Sequence, residues 1–221
     1  MSRWEIRIAT VVAGLLVGIL PSPTATAEQP GLATAVLETL PVKGRAPKTG
    51  YTRDQFGQAW ADVDSNGCDT RNDILKRDLT SIVFKAGTHN CVVASGTLFD
   101  RYSGETINFV RGNMTSMEVQ IDHVVALSNA WQTGAFKLSA DQRKALANDP
   151  LNLFAVKGSL NQQKSDGDAA TWLPPLKSFR CAYVAQQIAV KAKYSLWVLP
   201  PEKAAMVAIL AKCPGQKVPV S

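Results

Sequence analysis

A chain of 221 residues is long enough to bury one sizeable core and too short for two large domains. Hydrophobic residues make up 46% and charged residues 19%, the balance of a globular chain, which excludes intrinsic disorder. Lys and Arg number 24 against 18 Asp and Glu, a net +6 that favours polyanionic partners; one long apolar run, at the extreme N-terminus, excludes a polytopic membrane protein.

In chain order, residues 1–27 read as a secretory signal. Arg3 and Arg7 supply its positive start and 8–20 its apolar run. Pro21 and Pro23 break that run, and Ala25-Thr26-Ala27 offers small residues for cleavage. The run is about 13 residues, short of the roughly 20 that cross a bilayer. Cleavage therefore predicts a secreted chain with no membrane anchor, still basic after losing Arg3, Glu5 and Arg7.

Residues 28–50, rich in Pro, Ala, Gly and Lys with weak periodicity, read as a leader or linker. A domain over 51–213 and a tail over 214–221 follow. Thr52-x-x-Gln55 resembles a capping box for a short helix carrying Phe56 and Trp60, and a second helix is expected over 72–79. Three strand-like runs come next, over 82–84, 91–99 and 106–110, punctuated by Gly87, Gly104 and Gly112.

The second half predicts a strand over 118–124, a helix over 139–147 and a short apolar run over 151–156. Ser159-x-x-Gln162 offers another capping box, and two helices close the chain over 178–194 and 201–212, with Pro201 suited to a first helical position. This order is an α+β signature. The four cysteines, Cys68, Cys91, Cys181 and Cys213, contain no CxxC pair and read as two disulfides. Proximity selects Cys68–Cys91 and Cys181–Cys213 among three connectivities. Antiparallel packing of the closing helices would bring the ends bearing Cys181 and Cys213 together.

The chain has two histidines. His89 reads as an exposed loop residue beside Cys91. His123 follows Asp122 inside an apolar stretch. In a regular strand these two side chains point to opposite faces, and Val119, Ile121 and Val125 would bury the imidazole. For both to meet one ligand, the strand must end or bulge at Asp122. Those residues alone fit a core histidine as well as a catalytic one.

Residues 152–166, read together with Asp122-His123, resemble the HNH, or ββα-metal, nuclease motif. The spacing from Asn152 to Asn161, followed by Lys164-Ser165-Asp166, is similar to the asparagine-bearing version in the HNH domain of Cas9. More widely, Asn66-Gly67-Cys68-Asp69-Thr70-Arg71-Asn72, Asp122-His123-Val124-Val125, Asp149-Pro150-Leu151-Asn152-Leu153 and Trp172-Leu173-Pro174-Pro175 resemble exported actinobacterial HNH-family proteins. Those proteins are related to the C-terminal domain of GmrSD-type restriction endonucleases.

The resemblance implies a ββα-metal core with an antiparallel strand region before it and helices after it. It implies His123 as the general base that activates water, and Asp122 and Asn161 as ligands of one divalent cation. Asn152 would brace the loop that presents His123. Asn161 stands where many family members place a histidine; a carboxylate and an amide offer hard oxygens, which suit Mg²⁺ or Mn²⁺ better than Zn²⁺. Lys164, three residues beyond Asn161, shares its helical face and reads as a phosphate contact. Trp172 reads as a packing anchor. The implied activity is hydrolysis of phosphodiester bonds in nucleic acid, DNA by preference, through backbone contacts that weaken with salt.

A second motif stands apart. Asp62-x-Asp64-x-Asn66-Gly67, with Asp73 at the twelfth position, matches the opening of an EF-hand loop and predicts a Ca²⁺ site. The usual closing Glu is replaced by Asp73, and Cys68 sits at the backbone-ligand position. The bland alternative is a polar, disulfide-pinned turn. The rival function is a non-catalytic calcium-binding or cell-envelope interaction module on a nuclease-like scaffold.

Overall fold

The computed structural model describes Met1, residues 31–112 and residues 115–220, with Thr115 described in its backbone alone. Apart from Met1, the secretory signal read over 1–27 lies outside the described residues. No described helix is long and apolar enough to cross a membrane.

The first element corrects an expectation. Helix α1 (Ala33–Thr39) buries Ala33 and Leu37 in the largest core, with Leu40 just beyond its end. These three lie at i, i+4 and i+7, one apolar helical stripe inside the stretch read as a linker. The chain on either side is also tied down. Leu32 bridges to Lys217 and Val42 to Val198, and the Ala46 amide donates to the Gln132 carbonyl. Residues 31–57 thus form a strap laid across the domain.

The short helix expected after Thr52 is a 3-10 turn, Arg53–Phe56, to which the Thr52 side chain contributes no cap. Phe56 anchors it in a second core beside Trp131 and Leu146. Helix α2 (Thr70–Asp78) starts at Asp69, whose carboxylate accepts the Asn72 amide at 2.8 Å. It covers one face of an antiparallel sheet of three strands in sequence order, β1 (Leu79–Phe84), β2 (Val93–Phe99) and β3 (Thr106–Val110). The Cys68–Cys91 disulfide joins the loop before α2 to the loop before β2.

A separate antiparallel pair carries the second half. Strand β4 (Val119–His123) pairs with β5 (Leu153–Lys157), placing Asp122 opposite Phe154 and His123 opposite Leu153. Between them lie α3 (Leu127–Gln132) and α4 (Ala140–Asn148), the latter opened by a Ser139–Gln142 capping box. Helix α5 (Gly158–Lys164) follows β5 without a loop and packs on both strands. It starts at Gly158, and the capping box expected at Ser159 is not made. A Cβ on Gly158 would lie 1.9 Å from the Met117 carbonyl oxygen, so only glycine lets the strand turn straight into the helix there.

Helices α6 (Arg180–Lys193) and α7 (Pro200–Leu210) close the fold, with Cys181 at the start of α6 bonded to Cys213 just beyond α7. Both disulfide pairings are those expected, each adding on the order of 2–4 kcal/mol. Tyr183, Val184 and Ile188 of α6 meet Phe154 and Val156 of β5 and Leu37 of α1 in the largest core. Trp172 packs edge-on against Tyr102, 5.1 Å between ring centroids. The architecture is α+β, with antiparallel strands and two disulfides.

Candidate functional site

Strand β4 ends at His123, and its pairing with β5 runs without a register shift. The ending, not a bulge at Asp122, frees the chain to turn. Asn152, completely buried, holds that turn: its Oδ1 accepts the Val125 amide at 2.8 Å, and its Nδ2 donates to the Val125 and Leu146 carbonyls. Its own carbonyl accepts the Val124 amide at 2.8 Å. One amide side chain thus stitches the segment after His123 to α4 and the entrance of β5.

Asp122 is buried, with both oxygens engaged. Oδ1 accepts from Lys164 Nζ at 2.9 Å and Oδ2 from the Tyr102 hydroxyl at 2.6 Å. Lys164 Nζ also donates to the His123 carbonyl at 2.8 Å. This corrects the reading of Lys164 as a phosphate contact. Its side chain is wholly out of solvent, turned beneath β4, where a buried carboxylate demands a counter-charge. Burial pushes the Asp122 carboxyl up, and Lys164 and Tyr102 pull against it.

His123 lies parallel to the Trp60 indole, 5.8 Å between centroids and 16° between planes. Its Nε2 is 2.9 Å from the Ala147 carbonyl, which can only accept, so Nε2 carries the proton. Nδ1 is then the lone-pair nitrogen and has no hydrogen-bond partner among the described residues. Burial lowers the imidazole from 6.5 to about 3, against the pull of the Ala147 bond; the charges of Arg53 and Lys164 push the same way as burial. The ring is therefore neutral across ordinary pH.

Asn161, on α5, donates from Nδ2 to Gln120 Oε1 at 2.9 Å, and its amide oxygen has no hydrogen bond from a described residue. Asp122, His123 and Asn161 line one cavity of about 350 Å³, together with Lys48, Tyr51, Arg53, Ser128 and Asp166. Asp166 Oδ2 accepts from Ser128 Oγ at 3.0 Å and stands 3.6 Å from Lys48 Nζ. Partial burial would raise its carboxyl, but Ser128 and Lys48 outweigh that, and the net shift is downward. A smaller cavity of about 80 Å³, also lined by His123, is walled by Trp60, Phe56 and Ala147 and again by Arg53.

Lys48, Tyr51 and Arg53 escape sequence reasoning, because the strap that carries them has the weak periodicity of a linker. The usable signal was the run of Lys43, Arg45, Lys48 and Arg53 around Tyr51, a basic segment with an aromatic inside it. Tyr102 was also missed, and nothing near it in the chain marks it as a partner of Asp122. His89 is exposed, as expected.

Among the described residues, no group of three or more His, Cys, Asp or Glu side chains could hold a metal ion. The Asp122–Asn161 pair is a smaller donor set, and its chemistry fits a hard cation: one unbonded amide oxygen and a carboxylate whose oxygens each keep a second lone pair. Asp62, Asp64, Asn66 and Asp73 also gather, but around the loop's own amides. The Asn66 and Gly67 amides donate to Asp62, Asn66 Nδ2 donates to Asp64 and Asp73, and Asn66 Oδ1 accepts the Cys68 amide. These are the contacts of a polar turn pinned by a disulfide.

Residues 69–209 match the family model of GmrSD restriction endonucleases, C-terminal domain. The chain belongs to this family. The GmrSD C-terminal match begins at Asp69, the cap of α2, and takes in Asp122, His123, Asn152, Asn161 and Lys164. Beyond it, the chain is 37% identical over 208 residues to an uncharacterized secreted protein of Arthroderma benhamiae, an alignment covering 92% of this chain and 97% of the relative. No solved structure matches. The GmrSD relationship places the chain in a nuclease-related family, and the strap with Lys48 and Arg53 lies ahead of the matched region.

Proposed function

We propose that this protein is an exported HNH-type endonuclease that hydrolyses phosphodiester bonds of nucleic acid, DNA by preference, with β4, β5 and α5 as its ββα-metal core. What carries this reading is the neutral imidazole of His123, locked through Nε2–H to the Ala147 carbonyl, in the same cavity as Asp122 and Asn161.

Phosphodiester hydrolysis needs a water made nucleophilic beside the phosphorus. The free Nδ1 of His123 takes that water's proton, and the Ala147 carbonyl holds the ring in the tautomer that makes this possible. An entering phosphodiester brings negative charge next to the ring and raises its proton affinity from the low value of the free protein. Asn152 keeps the loop after His123 in register. Lys164 and Tyr102 fix the Asp122 carboxylate. The oxygens of Asp122 and Asn161 would hold Mg²⁺ or Mn²⁺, which when bound supplies Lewis-acid stabilisation of the charge developing on the phosphate. Export is supported by the leader-like start of the sequence, two disulfides and a secreted relative.

The test incubates the refolded mature chain with supercoiled plasmid in Mg²⁺, Mn²⁺ or EDTA, beside His123→Ala and Asn161→Ala. Nicking by the wild type should be lost in EDTA and fall by about 10²-fold or more in His123→Ala. Equal nicking by His123→Ala would overturn the assignment.

A further inference from the structure

If Lys164 is sealed beneath β4, the cavity needs another group to receive a phosphate, and its charges point to one. Asp122 is neutralised by Lys164 at 2.9 Å, and Asp166 is faced by Lys48 at 3.6 Å. Arg53 is left over: an exposed guanidinium with no hydrogen bond or ion pair to any described residue. It lines both of the cavities that His123 lines.

The mount beneath Arg53 is rigid although its side chain is free. It opens the 3-10 turn whose last residue, Phe56, is 1% exposed in the core. Tyr51, two residues before it, packs edge-on against both Phe56 and Trp131. Arg143 of α4 donates to the Gln55 carbonyl at 2.6 Å. An unpaired cation on a fixed base beside a neutral imidazole is an arrangement that selects an anion. A guanidinium meets two oxygens of one phosphate side by side, which a lysine cannot do.

We infer that Arg53, with Lys48 beside it, is the clamp for a backbone phosphate of the nucleic acid, so that the strap ahead of the family-matched region forms one wall of the substrate site. This rests on the phosphodiester reading above and names the substrate contact that reading lacks.

The experiment measures binding of the full mature chain to a fluorescently labelled DNA duplex in EDTA, where the proposed cleavage cannot proceed, over a series of salt concentrations. Arg53→Gln should weaken binding about tenfold at low salt and flatten the slope of log affinity against log salt by about 0.9, the loss of one phosphate contact. Arg53→Lys should fall between it and the wild type. Lys85→Gln, an exposed charge at the end of the three-stranded sheet, should change nothing. The Arg53 side chain makes no hydrogen bond or ion pair to any described residue, so an unchanged melting temperature in Arg53→Gln would show that the fold is intact. Binding by Arg53→Gln equal to the wild type in affinity and slope would overturn the inference and leave the His123 assignment standing. A wild type that neither binds the duplex nor nicks plasmid would sink both.

Discussion

The two sheets of this molecule are both antiparallel, yet they treat their side chains in opposite ways. The sheet of β1, β2 and β3 leaves one face to solvent, with Val83 57%, Phe99 63% and Val110 52% exposed. The pair β4–β5 is sunk among the cores, and buried with it are Asp122, His123 and Lys164. Desolvating a carboxylate and an ammonium costs several kcal/mol each before their attraction is counted, and an apolar replacement of such a pair is often no less stable. The comparison teaches that the first sheet is arranged for stability and the second for something stability alone does not require.

The sharpest way to break the contrast is to remove one member of the buried pair. Lys164→Met should destabilise the protein by about 3–5 kcal/mol, since the buried Asp122 would lose its counter-charge and keep only the Tyr102 hydroxyl. Adding Asp122→Asn to that variant should recover much of the loss, as denaturant unfolding of the single and double variants would show. Equal stability of Lys164→Met and the wild type would mean that the pair is not buried as described.

A smaller effect comes from pH. His123 titrates near 3 in the folded chain and 6.5 is its ordinary value, so the unfolded chain takes up the proton first as pH drops. Its contribution to stability is complete above about 6.5 and is lost as pH falls toward 3. Asp122 works in the other direction: its raised carboxyl contributes below 3.8 and loses that contribution as pH rises. Comparison with His123→Gln separates the two. Between pH 6.5 and 4, in EDTA, the melting temperature of the wild type should fall more than that of the variant. Parallel curves would contradict a buried, neutral imidazole. The smallest effect belongs to the other sheet, where Val83→Thr should move stability by no more than about 0.5 kcal/mol.

Much of the frame was legible because its signals are local. The Ser139–Gln142 capping box, the Pro at the start of α7 and the alternation of β3 each declare themselves within a few residues. The gathering of Asp122, His123 and Asn161 was legible only through the spacing of a motif. Lys164 shows why the rest was not: helical spacing puts it near Asn161, but its burial is decided by Asp122, 42 residues away. Helix α3 hides its period because all six of its residues are buried, the polar Ser128, Asn129 and Gln132 among them, so its polar residues mark no solvent face. The strap was missed because its Pro and Gly content hides the one stripe that docks it.

That strap is fastened beside the far end of the chain. The Ala33 amide donates to the Gln216 carbonyl, and the Val218 amide to Gly31. A polypeptide threaded outward from its beginning therefore leaves the start of the strap without this tie until residues 216–218 have also emerged, while the Ala46–Gln132 bond and the buried Phe56 already hold the stretch that carries Lys48 and Arg53. The outer end of the strap is thus the last part to be latched, and a chain halted before its final turn would keep the cavity's cations but lose the tie that pins Gly31 and Ala33.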